Sequence, residues 1–153
     1  CSAMFNVAFR IVSNKTLAEE IMQDSFLKAF TKLDSYSGKV TFGAWLKKIV
    51  INTSINELKK ANQFQFESLN EGNEFEDINE NDIISYNELK AEQILKTIQS
   101  LKSNYKIILT LFFIEGYDLE EISSILNISN ENCRTTMSRA KESLRKKLND
   151  NER

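Results

Sequence analysis

Histidine and proline are both missing from this sequence, glycine occurs four times and cysteine twice. Without histidine the chain lacks the commonest general base at neutral pH and the commonest metal ligand. The two cysteines, Cys1 and Cys133, lie far apart and form no CxxC, so neither a zinc site nor a disulfide framework is expected. That usage fits a reducing, cytoplasmic setting. There is also no glycine-rich phosphate loop, so no cofactor, metal or small-molecule substrate is expected, and an enzyme is the poorest reading of the chain. With no proline and little glycine, helices meet few interruptions. Long apolar runs are absent too. The longest, Ile107 to Ile114, would cover less than half of a bilayer as a helix. No signal peptide is visible, and because the chain begins at Cys1 instead of Met, residues ahead of it are expected.

What is present suits a water-exposed globular protein of 153 residues, with 41% hydrophobic and 27% charged side chains. That length allows one compact domain or two small ones. The net charge of −2 hides a strong segregation. Residues 1–66 carry nine basic and five acidic groups (+4), and residues 67–92 carry one basic and nine acidic (−8). Residues 93–129 come to −1 and residues 130–153 to +3. The stretch ESLNEGNEFEDINEND, Glu67 to Asp82, has no helical periodicity and too little apolar surface to fold alone. It reads as a flexible linker, placed at residues 63–85, between helical halves at 1–62 and 86–153. The fold class expected is all-α, with two small helical domains.

In the first half, MFNVAFRIV forms a short helix with Phe5, Phe9 and Val12 toward the core. Thr16-Leu17-Ala18-Glu19 has the form of a capping box. The helix that follows repeats Leu17, Ile21, Met22, Ser25, Phe26, Ala29, Phe30 and Leu33 at helical spacing, an expected buried stripe that a turn at Asp34–Gly38 ends. A third helix, from about Thr41 to Ala61, has an apolar stripe of Phe42, Trp45, Leu46, Ile49, Val50 and Thr53, with Lys48, Asn52, Asn56, Lys59 and Lys60 opposite. Phe42 and Trp45 beside a basic helix suit stacking on unpaired bases, or burial in a core.

In the second half, Glu88 to Leu101 and Asn104 to Ile114 are helical, Gly116 stops the chain, and Asp118-Leu119-Glu120-Glu121 is a second capping box. A short helix with Leu119, Ile122, Ile125 and Leu126 inward leads to Asn127-Ile128-Ser129, and Ser129 suits the N-cap of a last helix bearing Cys133, Met137, Ala140, Leu144 and Leu148. A DNA-reading helix-turn-helix needs a small residue where its helices cross, a left-handed residue in the turn and an apolar anchor in the second helix. Ser123, Asn127 and Cys133 meet these needs. Asn130, Arg134, Thr135, Ser138, Arg139 and Lys141 are then left outward for base edges and phosphates. The same spacing also fits a plain helical hairpin with a solvated face.

Together, LAEEIMQDSFLKAF with TFGAWLKKIVINTSINELKK resembles the second conserved region of bacterial sigma factors, and ILTLFFIEGYDLEEISSILNISNENCRTTMSRAKESLRKKL resembles their fourth. With no folded domain between, the resemblance is to the extracytoplasmic-function group of the sigma-70 family. It implies a promoter-specificity subunit without catalytic residues. Its partners would be core RNA polymerase (the β′ clamp coiled coil and the β flap), promoter DNA and an anti-sigma factor, often membrane-bound. By that resemblance Glu20, Gln23, Asp24 and Phe26 bind polymerase; this chain has Glu20 where the family usually has Asp and Asp24 where it usually has Glu. Val40 to Lys60 would take the minus-ten element as single-stranded DNA, with a flipped base near the loop before Phe42. In that segment Phe42 and Trp45 lie beside the bases, Asn52 and Asn56 read them, and Lys48 and Lys59 hold phosphates. Asn130, Arg134, Thr135, Thr136, Ser138, Arg139 and Lys141 would meet the minus-thirty-five element in the major groove. Thr136 stands where the family often has Arg. The linker would run near the RNA exit path, and its acidity would disfavour DNA binding by the free chain. Two other readings explain less. A helix-turn-helix repressor or response-regulator output domain leaves LAEEIMQDSF and TFGAW without purpose, and a purely structural helical adaptor without DNA activity ranks only above an enzyme.

Overall fold

The computed structural model describes residues 2–61 and 88–151. It divides the chain into two compact units, Cys1–Phe64 and Gln65–Arg153. Among the described residues there are seven α-helices and no strand. The expected linker, and the acidic stretch within it, lie outside those residues.

In the first unit, helices α1 (Ser2–Val12), α2 (Lys15–Thr31) and α3 (Phe42–Lys60) pack pairwise. Ser13 takes a left-handed conformation (φ 54°) and its N–H returns to Phe9 O, which ends α1. Asn14 then caps α2, its side-chain oxygen accepting from Leu17 N at 3.0 Å. The capping box expected at Thr16 and Glu19 therefore does not form. Asn14, two residues earlier and an equally good cap, starts the helix first and leaves Thr16 inside its first turn.

The core of this unit takes Val7, Ala8 and Ile11 from α1, Ala18, Ile21, Met22, Ser25 and Ala29 from α2, and Leu46, Val50, Ile51, Ile55 and Leu58 from α3. Each fully buried Ile or Leu contributes about 1.5–3 kcal/mol of transfer free energy. Three residues expected in the core stripe of α2 lie outside it: Phe26, Phe30 and Leu33 are exposed. Apolar residues on α2 occupy two adjacent helical rows, and a three-helix unit covers only the row through Ala18, Ser25 and Ala29. Phe9 is exposed for the same reason, stacked on Phe5 at a centroid distance of 5.9 Å on the flank of α1.

The second unit holds α4 (Glu88–Ser100), α5 (Ser103–Leu109), α6 (Leu119–Leu126) and α7 (Asn130–Asn151). Helix α5 runs into a π-helical turn, Thr110–Ile114, closed by Glu115 N to Thr110 O at 3.0 Å. Gly116, at φ 79°, ends it. The longest helix, α7, packs against α4, α5 and α6. Lys147 Nζ donates to Ser100 O at 3.0 Å, placing a cation at the negative C-terminal end of α4.

Asn127 carries the turn between α6 and α7 in the left-handed region (φ 56°, ψ 49°), with Ile128 N donating to Ser123 O at 3.0 Å and Asn127 N to Ser124 O at 3.3 Å. These are the two bonds of a Schellman closure, made on Asn instead of Gly. Asn127→Ala should lower the stability of this unit by about 1 kcal/mol, because only Asn and Gly visit this region without strain. Asn127→Gly should leave it unchanged or raise it, and urea midpoints for the pair measure both.

Candidate nucleic-acid interfaces

In the first unit, Lys48, Asn52, Asn56 and Lys59 are all exposed, and their spacing of four, four and three residues sets them on one strip of α3. At the N-terminal end of that strip, Thr41 caps α3 by accepting from Ala44 N at 3.2 Å. Phe42 and Trp45 sit in the first turn and form a triad with Tyr36: ring centroids lie 5.8 Å apart for Tyr36–Phe42, 5.2 Å for Tyr36–Trp45 and 5.6 Å for Phe42–Trp45. The expectation that Phe42 joins the core stripe is corrected, since it is 47% exposed; Trp45 is half-buried against its neighbours. The strip thus offers amides and cations along its length and aromatic surface at one end, the chemistry that holds unpaired bases and their backbone.

On α2, Glu20 and Gln23 are exposed, and Asp24 pairs with Lys28 at 3.2 Å across one helical turn. Such a half-exposed pair is worth only about 0.3–0.5 kcal/mol. Lys28 Nζ also donates to Thr53 Oγ1 of α3 at 3.4 Å. Beside this polar row stand Phe26, Leu27 (69% exposed) and Phe30 (81% exposed). Leu27 and Phe30 were not among the residues that the sequence singled out for a partner. The signal was there, as a second apolar row one position round from the core row.

In the second unit, Asp118 and Glu121 form the expected capping box: Glu121 N donates to Asp118 Oδ1 at 2.8 Å and Asp118 N to Glu121 Oε1 at 3.3 Å. Ser129 accepts from Asn132 N at 3.1 Å, as a cap for α7. Ser123, the small residue at the crossing, has its Oγ 2.7 Å from Glu120 O and 2.8 Å from Asn130 Oδ1. A hydroxyl carries one proton, so Ser123 donates to one of these two oxygens at a time. Asn130 is therefore exposed but tied back to α6. Cys133 is fully buried and its thiol lies 3.5 Å from Leu119 O.

The outer face of α7 presents Asn130, Glu131 and Arg134 exposed, with Thr135, Ser138 and Arg139 partly so. Thr135 Oγ1 donates to Glu131 O at 3.0 Å. Glu131, in the first turn, was not singled out from the sequence. Two expected readers are placed otherwise. Thr136 is 5% exposed, with its hydroxyl 3.2 Å from Asn132 Oδ1, because it falls on the inward row with Cys133, Met137 and Ala140. Lys141 is 7% exposed, not outward, and its ammonium lies over the Phe112 ring at 5.1 Å. The π-helical turn brings Phe112 and Phe113 into edge-to-face contact at 5.0 Å beneath it, and a cation on aromatic faces is held where a hydrated one would not be.

Residues 2–64 match the family model described as Sigma-70 region 2, and residues 91–144 the one described as Sigma-70, region 4. The chain belongs to the sigma-70 family of transcription initiation factors, in its extracytoplasmic-function (ECF) group. It is 28% identical over 156 residues to the ECF RNA polymerase sigma factor SigW of Bacillus subtilis (strain 168), spanning 96% of this chain and 83% of that one. It is 26% identical over 138 residues to the ECF RNA polymerase sigma-E factor of Escherichia coli (strain K12), spanning 84% and 72%. Among solved structures, its fold is similar to that of the sigma factor RpoE in complex with the anti-sigma factor NepR from Bartonella quintana. That likeness has a TM-score of 0.62 at 21% identity, over 97% of this chain and 91% of that one. A second, CnrH in complex with the cytosolic domain of CnrY, has a TM-score of 0.56 at 19% identity, over 97% and 82%.

Burial pushes the Cys133 thiol up to about 11, against a small opposing pull from Arg134. The folded state thus holds this proton more tightly than the unfolded chain. The resulting stability is complete below pH 9, the thiol's ordinary value, and is lost as pH rises through about 11. The urea midpoint should fall across that window more steeply in the wild type than in Cys133→Ala. Iodoacetamide at pH 8 should label Cys133 only after denaturant is added, read by mass spectrometry.

Proposed function

We propose that this chain is a dissociable promoter-specificity subunit. It recruits core RNA polymerase through α2, places the outer face of α7 in the major groove of the minus-thirty-five element, and holds melted minus-ten bases on α3. The observation that carries this reading is the co-occurrence, in one chain, of a helix-turn-helix whose outer face carries Asn130, Arg134, Thr135 and Ser138 and of an aromatic–amide–lysine strip on a separate unit. A duplex reader alone needs no second surface. The chain makes and breaks no bond itself; its work is binding, and it acts in the cytoplasm. No helix among the described residues is long and apolar enough to cross a membrane.

The division into residues 1–62, 63–85 and 86–153 is, on this reading, a division of labour between polymerase and minus-ten binding, a connecting linker, and minus-thirty-five binding. Glu20, Gln23 and Asp24 accept hydrogen bonds from a basic partner helix on the clamp, with Phe26, Leu27 and Phe30 as the apolar contact beside them. Of the residues first assigned to the major groove, Asn130, Arg134, Thr135, Ser138 and Arg139 keep that role. Thr136 and Lys141 hold α7 in place instead. An anti-sigma protein covers these surfaces when transcription is off, as the similar RpoE was solved with NepR.

Reconstitution with core polymerase and a promoter library tests the reading: initiation at a defined set of promoters should require this chain, and no gain in initiation overturns it. Arg134→Ala should cost about 1–3 kcal/mol at one minus-thirty-five position, whereas an equal loss for all sequences would make it a phosphate contact. Phe30→Ser should weaken polymerase binding by about tenfold or more with little change in thermal stability, since the residue is 81% exposed.

A further inference from the structure

The residues between α2 and α3 form an exposed loop with an unusual amount of internal bracing. A 3-10 turn, Leu33–Ser35, is followed by Tyr36, and the residues from Ser37 to Ala44 are all exposed. Gly38 takes φ 75°, a conformation that L side chains rarely adopt, so the chain reverses there. Across the reversal the Tyr36 hydroxyl donates to Val40 O. The same ring lies edge-on to Phe42 (86° between planes) and tilted on Trp45 (43°). One side chain therefore joins the start of the loop, its far limb and the first turn of α3. The apolar groups it steadies, Val40 and Phe42, are both about half exposed.

We infer that Tyr36 is a positioning residue for single-strand reading: it sets the Ser37–Thr41 loop in its binding conformation before DNA arrives. This rests on the function proposed above and adds a residue outside the set first assigned to the minus-ten strip. The argument is one of entropy. A loop of exposed residues has little burial to order it, so a free loop would have to be ordered when it takes up a base. A hydroxyl-to-carbonyl tie made in advance removes that cost from binding. Because the Val40 carbonyl can turn to water when the tie is lost, removing the hydroxyl has little effect on folding. Its effect is on recognition.

Tyr36→Phe is the informative variant, since it keeps the ring and its contacts and deletes only the hydroxyl. In the full chain with core polymerase, binding is measured to pre-melted promoter probes carrying each base in turn through the minus-ten strand. Tyr36→Phe should reduce discrimination at the base held by the loop by about two- to tenfold. Discrimination at the other minus-ten bases, binding to a minus-thirty-five duplex and the melting temperature should stay as in the wild type. Tyr36→Ala should do the same more strongly. A wild-type profile at every base in Tyr36→Phe overturns the inference. So does a loss that is uniform over all bases or tracks a lowered melting temperature, which would make Tyr36 only a structural brace. A measurement without DNA separates this from failure of the functional reading. In the free protein, backbone ¹⁵N relaxation should show residues 37–41 rigid in the wild type and mobile in Tyr36→Phe, with Trp45, the single tryptophan, unchanged in fluorescence. A loop equally mobile in both sinks the inference whatever the chain does with polymerase.

Discussion

A helix in a three-helix unit can bury one row of its side chains, and everything that the first unit offers to partners follows from that limit. Helix α2 carries two neighbouring apolar rows, and packing against α1 and α3 uses only the row of Ala18, Ile21, Ser25 and Ala29. The small Ala18, Ser25 and Ala29 let the helices approach closely. The consequence is that the larger side chains, Phe26, Leu27 and Phe30, stand in water beside Glu20, Gln23 and Asp24. An exposed apolar row bordered by acids and amides is costly for a free monomer and useful only to a protein that spends its working life against another. The same limit leaves α3 with its lysines and asparagines outward and its N-terminal aromatics braced on one another instead of on a core.

The second unit is organised around a different requirement. A helix that reads the duplex by a few side chains has to be held in one orientation, since a small tilt moves every reader off its base edge. Helix α7 is fixed at each stage of its length. Ser129 caps it and Asn130 ties it to Ser123. Cys133, Met137, Ala140 and Leu144 bury its inner row. Lys141 rests on Phe112, and Lys147 caps α4. Lys141 looks like a DNA contact when only charge is counted, but it is buried over Phe112. On the function proposed above, the exposed charges that DNA would meet along the outer face of α7 include Arg134 and the partly exposed Arg139, set against the carboxylate of Glu131. Local charge, not the net −2 of the chain, governs that encounter.

What could be read from the residues beforehand divides along the same physical line. Features decided within four or five residues were legible. The capping box at Asp118, the left-handed Asn127, the Ser129 cap and the extent of most helices follow from backbone groups that need local partners. Even there one local choice went the other way, because Asn14 outcompetes Thr16 as a cap. Features decided by which neighbour a helix meets were not legible. Periodicity shows that Phe26 and Phe30 repeat on a helix, but not which of two adjacent rows its partners cover. The π-helical turn at Thr110–Ile114 leaves no mark in the residue pattern, and without it nothing in the sequence turns Phe112 toward Lys141. Thr136 entered the groove set through the family resemblance alone, and its place on the inner row of α7 follows from the helical spacing of Cys133, Met137 and Ala140.

On the function proposed above, the two surfaces differ in how their stiffness is obtained, and the difference matches what each would read. Duplex DNA presents its base edges at fixed positions, and α7 answers with a helix clamped by core side chains over much of its length. Melted bases have no fixed position until they are held, so the surface that takes them has to supply the geometry itself. On α3 the amides of Asn52 and Asn56 would gain that geometry from the helix. The loop ahead of it is exposed and is braced by Tyr36, the left-handed Gly38 and the Thr41 cap. Rigidity that comes from a hydrogen bond and ring contacts is cheaper to alter than rigidity from a core. A change in this loop can retune base preference without unfolding the unit, whereas a change on the inner row of α7 cannot.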